Sequence, residues 1–293
     1  MAYLTPKNIL EYFVFVNASV MKRTKEEEKL ESMTEEGSIR KDMFHYLFNT
    51  KIPETGLPAF SAEELTAEAN LLLIAGTDTT ANALSALWFY LTQNNRVYRK
   101  LAAEIRTTFE SVDDIHGGAK LSSCYYLRAC IDEALRMAPT GIVSEMSREV
   151  LPGGLDIDGN VFPEGVKIGT SSWAVMYHEE YFGDPYIYRP ERWIVDEMNG
   201  VTADDVALAR SAFNPFSVGP GNCVGQKLAM LELQVITARV LFRMDVQCPP
   251  GNNLGGGSPE LGWGRRDRKQ FQLEDAFVSL VNGPMVQFRK RLV

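Results

Sequence analysis

Phe216-Ser217-Val218-Gly219-Pro220-Gly221-Asn222-Cys223-Val224-Gly225 leads directly into an amphipathic helix over about residues 226–244. Gly219, Gly221 and Gly225 keep bulk away from Cys223, so a wide, flat partner can approach its sulfur. A cysteine at the start of a helix also meets unpaired backbone N–H groups, which favour the thiolate. In an arbitrary setting a cysteine is a packing residue; the glycines set this one apart. The rival reading is a dinucleotide-binding loop. It requires the third glycine of G-x-G-x-x-G at position 224, which is Val224, and a clean parallel strand before the loop, where Pro215 and Pro220 stand. That reading is rejected.

Upstream, Ser61 and Glu64 have the spacing of a capping box, and an apolar helix is expected from about residue 62 to 93. Glu68, Asp78 and several threonines interrupt it, which favours a helix buried in protein over a membrane span. Its middle reads Ala75-Gly76-Thr77-Asp78-Thr79-Thr80. Hydroxyls and an acid in an apolar helix must find partners. Threonine bonding back to the preceding turn is one explanation. A local opening beside Gly76, through which a hydroxyl and a carboxylate pass protons to a ligand, is the other. Both stand on the sequence alone.

Between these motifs, a helix over about residues 122–137 is stopped by Pro139 and carries Glu133 and Arg136 three apart on one face. Short alternating apolar runs over about residues 147–174, with turns at Pro152-Gly153-Gly154, Asp158-Gly159 and Pro163-Glu164-Gly165, predict a small antiparallel sheet. An irregular aromatic segment, residues 181–193, ends in Pro190-Glu191-Arg192-Trp193. A buried Glu held by two Arg would be a rigid charge-assisted cross-link. Residues 1 to about 50 read as helical, with an amphipathic stretch at Ile9–Val16 expected to find core partners; a charged helix follows over 95–110, and strand-like pieces lie near Phe271 and Val286.

The chain has 293 residues, 45% of them hydrophobic and 23% charged, which suits a folded protein with a sizeable core. A net charge of -8 argues against nucleic acid as a partner. Four cysteines without a C-x-x-C pair fit a reducing compartment and no zinc framework, and the 3 histidines are scattered. A metal held through one protein ligand fits this inventory, and haem is often held so.

Taken in order, the A-G-x-D-T-T on a long helix, the E-x-x-R, the P-E-R-W and the F-x-x-G-x-x-x-C-x-G resemble the cytochrome P450 family. Phrases such as Ile157-Asp158-Gly159 and Phe182-Gly183-Asp184-Pro185 resemble fungal members, and the resemblance runs from about Ser61 onward. It implies a mainly α fold with a small antiparallel sheet, the C-terminal part of the P450 fold, as one incomplete domain over 1–293. It implies haem b, with Cys223 as thiolate ligand to the iron and Phe216, Ala75, Gly76 and Gly225 around the cofactor. Asp78 and Thr79 would deliver protons to dioxygen at the iron. Glu133, Arg136 and Arg192 would form a structural triad supporting the cysteine loop. The implied activity is monooxygenation of a small apolar organic substrate, with a secondary metabolite as the guess, and electrons from NADPH through NADPH-cytochrome P450 reductase.

Two departures matter. The family usually has an Arg two residues before the cysteine, to bind a haem propionate, and here that residue is Gly221. Arg148, where the family often has another propionate contact, is expected to carry this role. The family's N-terminal portion, including the membrane anchor of eukaryotic members, is expected to be absent from this chain. That expectation brings exposed apolar surface, and it opens two alternatives: a truncated haem-binding fragment with little or no activity, and a haem-free helical interaction protein. The location implied is intracellular: the surface of the endoplasmic reticulum for a full-length relative, with the cytoplasm open to this chain.

Overall fold

The computed structural model describes residues 7–31, 41–141, 146–276 and 278–291. Residues 1–6 and 32–40, part of the helical stretch expected before position 50, lie outside them. The chain divides into two compact units, Met1–Thr77 and Asp78–Val293.

In the first unit, helix α1 runs Lys7–Glu31, α2 runs Met43–Asn49, and α3, Ala62–Gln93, begins. The capping box at the start of α3 forms: Ser61 N–H donates to Glu64 Oε2 at 2.8 Å and Glu64 N–H to Ser61 Oγ at 3.2 Å. Tyr12 of α1 donates to Asn70 of α3 at 2.8 Å. Glu27, buried on α1, accepts from Arg23 at 2.6 Å and lies 2.7 Å from His45 of α2. The core partners expected for the apolar stretch of α1 reach only some of it. Val16 and Val20 are buried, whereas Leu10, Phe13, Val14 and Phe15 are exposed, as are Leu71, Leu73 and Ile74 of α3. Among the described residues no helix is long and apolar enough to cross a membrane.

The second unit holds the main core. Helix α4, Asn95–Thr108, buries Val97, Leu101 and Ile105, one stripe at four-residue spacing, and leaves Arg99 and Lys100 outside. After the short α5, Ala119–Ser122, comes α6, Tyr125–Met137, which is buried on nearly every face. The helix expected from about residue 122 therefore starts at Tyr125, because residues 119–122 form a separate turn whose own cap is Ser123. Leu87, Phe89 and Leu91 of α3 join Leu127 and Ile131 of α6 in this core.

The strands expected as one small sheet form two two-stranded ladders. Strands β1, Met146–Glu149, and β4, Lys167–Thr170, pair antiparallel with Arg148 opposite Ile168. Strands β2, Leu155–Ile157, and β3, Asn160–Phe162, form a hairpin. Its two-residue turn, Asp158 at φ 49° and Gly159 at φ 79°, has the left-handed backbone of a type I′ connection. That tight turn closes the inner pair on itself, and the Pro163-Glu164-Gly165 turn brings β4 back to β1.

Helices α7, Ser172–Met176, and α8, Glu179–Phe182, then α9, Ala203–Ala212, precede the cysteine loop. Helix α10, Gln226–Arg243, leaves the loop and packs Met230, Leu233 and Leu241 into the core. Strand β5, Met244–Gln247, pairs antiparallel with β6, Gln287–Lys290, in a third two-stranded sheet. Of the two strand-like tail pieces, the later one is β6, and Phe271 makes only an isolated bridge to Gly256.

Candidate haem-thiolate site

The cysteine loop is a sequence of tight turns. Ser217 N–H donates to Asn214 O at 2.9 Å, and Ser217 itself adopts φ 62°. A 3-10 turn follows at Gly219–Gly221, and Cys223 N–H donates back to Phe216 O at 2.8 Å. This last bond closes the loop like a hairpin and holds the Cys223 side chain at its rim. The thiol is free and exposed. Phe216 is half-buried against the main core, which pins the other side of the loop.

Two glycines here have a steric reason. A Cβ on Gly225 would meet Cys223 Sγ at 3.7 Å, so any longer side chain would crowd the sulfur. A Cβ on Gly221 would stand 3.5 Å from Arg148 Nη2. The β1 strand therefore carries an exposed guanidinium across to the point where residue 221 lacks a side chain, and Arg148 Nη1 donates to Ser147 O at 3.2 Å. Cys223, Gly221, Gly225 and Arg148 thus lie in one neighbourhood. The exposed thiol, the small neighbours and the adjacent cation fit a flat, anionic macrocycle bound through sulfur.

Glu133, Arg136 and Arg192 also come together, and all three are buried. Arg136 donates to both oxygens of Glu133 at 3.0 Å, a bidentate fork. Arg192 Nε donates to Glu133 Oε1 at 2.9 Å. Two further donors were not assigned a role from sequence: Trp193 Nε1 at 3.0 Å and the Arg189 N–H at 3.1 Å. The remaining guanidinium N–H groups reach backbone carbonyls: Arg136 to Met176 and Pro185, Arg192 to Phe182, Asp184 and Ile187. Burial pushes the Glu133 pKa up, but the two guanidinium groups outweigh it and hold it below the ordinary value. The cluster joins α6 to the irregular segment before α9. Arg210 of α9 stacks over Trp193, 4.8 Å from the ring centroid, and donates to Asp132 at 2.8 Å.

Glu191, next to Arg192, points the other way. It accepts from Arg96 of α4 at 2.6 Å and from Tyr126 of α6 at 2.7 Å. Burial raises its pKa, but these two donors outweigh burial and bring it from the ordinary 4.5 to about 2. A depressed carboxylate contributes stability that is complete above its unfolded value and is lost as pH falls through its folded value. The protein is therefore expected to lose stability between about pH 4.5 and 2, and Glu191→Gln to lose less over the same window. Parallel acid titrations followed by circular dichroism test this. Equal acid slopes for the two proteins would refute it.

The other residues of the expected site lie on α3. Ala75, Gly76 and Asp78 are exposed and Thr79 is half-buried. Nothing lies within 4 Å of where a Gly76 Cβ would stand, so this stretch of helix backbone is accessible from one side.

Residues 7–256 match the family model described as Cytochrome P450. The chain belongs to the cytochrome P450 family. It is 38% identical over 282 residues to cytochrome P450 monooxygenase fscF of Fusarium equiseti, across 96% of this chain and 52% of that protein. It is 35% identical over 294 residues to cytochrome P450 monooxygenase AKT7 of Alternaria alternata, across 98% of this chain and 54% of that protein. The crystal structure of a cytochrome P450, CYP102L1, matches with a TM-score of 0.69 at 20% identity, over 95% of this chain and 56% of that one. A likeness at that identity carries the fold: a mainly α P450 fold with small antiparallel sheets. The chain spans about half the length of these curated P450 relatives.

Proposed function

We propose that this chain is the haem-bearing part of a monooxygenase that inserts one oxygen atom from O2 into an apolar organic substrate, in keeping with its fungal P450 relatives. The observation that carries the reading is the free, exposed Cys223 thiol on a closed loop between glycines, with a guanidinium at hand. Haem b, when bound, supplies the redox chemistry of dioxygen activation. Cys223 is the proposed iron ligand, and Gly225 keeps the approach to its sulfur open. Phe216 anchors the loop against the main core and accepts the Cys223 N–H at its carbonyl, which fixes where the sulfur stands. Ala75 and Gly76 are small, and the open space where a Gly76 Cβ would stand leaves room for small ligands beside α3. Asp78 and Thr79 hold and move protons at their Oδ and Oγ1 atoms, a role that exposure to solvent at Asp78 supports. Glu133, Arg136 and Arg192 are positioning residues that fix the loop from behind. Electrons come from NADPH through a reductase, and the surface of the endoplasmic reticulum is the proposed location.

The test is an absorption spectrum of the reduced protein with and without carbon monoxide. A long-wavelength Soret band supports thiolate-ligated haem; a shorter-wavelength band or no band refutes it. NADPH-dependent oxidation with added reductase then separates a working enzyme from a protein that only binds haem.

Arg148 is proposed to bind a haem propionate in place of the missing Arg at Gly221. Charge-assisted hydrogen bonds contribute about 1.5–3 kcal/mol each. Arg148→Ala is therefore expected to weaken haem retention by roughly tenfold to a hundredfold. The ratio of Soret to protein absorbance after dialysis reads this directly, and an unchanged ratio would sink the assignment.

A further inference from the structure

Between β5 and β6 the chain makes a loop that is rigid at its base and cationic at its tip. At the base, Gly257 N–H donates to Asp267 O at 3.1 Å, Ser258 N–H to Arg265 O at 3.2 Å, and Gln272 N–H to Gly255 O at 2.7 Å. A Cβ on Gly256 would collide with Asn253 and with the Arg268 carbonyl, and one on Gly257 with the carbonyls of Asp267 and Arg265. The two ends are therefore locked together by backbone contact that only glycine permits. At the tip, Trp263 is 95% exposed between Gly262 and Gly264. Arg266, Arg268 and Lys269 beside it are exposed. Among the described residues, Arg265 is the only cation of this loop that pairs with a carboxylate, Glu274 at 3.9 Å. Residues 260–269 hold four cations against Glu260 and Asp267, a local charge of +2 in a chain of net charge -8.

A full indole in water is unfavourable, and a hydrogen-bonded loop keeps this one there. One partner matches both the ring and the charge. Indole settles at the headgroup level of a bilayer, with its ring among the acyl carbons and its N–H in the wet region. Anionic lipid attracts neighbouring Lys and Arg. A protein partner fits less well, because a protein interface is built on a cluster of apolar anchors, and this tip offers one. We propose that the loop from Gly262 to Lys269 is a peripheral contact with anionic membrane, with Trp263 seated at the interface and Arg266, Arg268 and Lys269 against lipid headgroups.

The test uses the full chain with vesicles of phosphatidylcholine alone and of phosphatidylcholine with phosphatidylserine. Binding is expected to favour the anionic vesicles and to weaken with salt. Replacing all three cations (Arg266→Ser, Arg268→Ser and Lys269→Ser) is expected to lower the partition roughly a hundredfold. Trp263→Ala is expected to lower it as well and to remove the blue shift of tryptophan emission on binding. Trp88 and Trp193 are buried and add little to that shift, while Trp173 is 44% exposed, so Trp173→Phe serves as the control that keeps the shift. Unchanged far-ultraviolet circular dichroism of both variants separates lost binding from lost fold. The exposed apolar residues of α1 are a second route to lipid, so the variants decide the matter. Equal partition of wild type and variants, equal binding to neutral vesicles, or no binding at all would overturn the proposal.

Discussion

Cys223→Ser is expected to abolish the long-wavelength Soret band of the reduced carbon monoxide complex entirely while leaving the fold intact. A cysteine sulfur binds iron as the thiolate, whereas a serine hydroxyl stays protonated at any pH at which the protein is folded. The substitution therefore removes the anionic ligand and little volume. The fold is expected to survive because Cys223 lies exposed at the loop rim, and the bond that closes the loop uses its backbone N–H, which serine keeps. Haem held only by packing and by Arg148 gives at most a short-wavelength band. Cys248→Ser is the control. Its sulfur contacts the Asn252 carbonyl in the tail, away from the glycine loop, and the long-wavelength band is expected to remain. The same band in Cys223→Ser as in the wild type would assign the ligand elsewhere and remove the proposed function's main support.

The reach of the sequence can be judged on particular residues. The start of α3 was legible because its capping box is local: Ser61 and Glu64 need only each other. The β2–β3 turn was legible for the same reason, as Asp-Gly suits a left-handed turn. Helix α9 went unread, although Thr202 and Asp205 form a capping box at its start. Its apolar pattern is weak, since the helix buries only Ala209 and Ala212. At the site, the spacing of Glu133 and Arg136 permits an ion pair but says nothing of burial, and most such pairs sit in water. The burial comes from segments far along the chain that close over α6: Met176, Phe182, Pro185 and Trp193. The replacement of a side chain at Gly221 by the Arg148 guanidinium is likewise tertiary, since 73 positions separate the two residues.

Burial also sets the scale of the second large effect. Glu133→Gln is expected to cost most of the protein's stability, although it changes one oxygen into a nitrogen. Glu133 neutralises two buried guanidinium groups and accepts from Arg136, Arg192, Trp193 and the Arg189 N–H. Removing one partner of a buried ion pair costs about 3–5 kcal/mol, because the remaining charge stays in low dielectric. Here two cations are left, and the new amide presents N–H groups to donors that need an acceptor. Total stabilities are about 5–15 kcal/mol, so a loss of this size leaves a marginal or insoluble protein. Neighbouring Asp132 provides the contrast. It is equally buried, but its partners Arg128 and Arg210 are 42% and 39% exposed and can turn to water when the charge goes. Asp132→Asn is therefore expected to shift the urea midpoint much less. Trp193→Phe removes one donor to a charged acceptor, expected to cost about 1.5–3 kcal/mol, and keeps a ring beneath Arg210. It stays measurable if Glu133→Gln does not fold. Urea melts of the three variants should rank Glu133→Gln as the most damaged, then Trp193→Phe, then Asp132→Asn. A Glu133→Gln protein with the wild-type midpoint would mean that the two arginines find other compensation and that the carboxylate does not hold this corner of the fold.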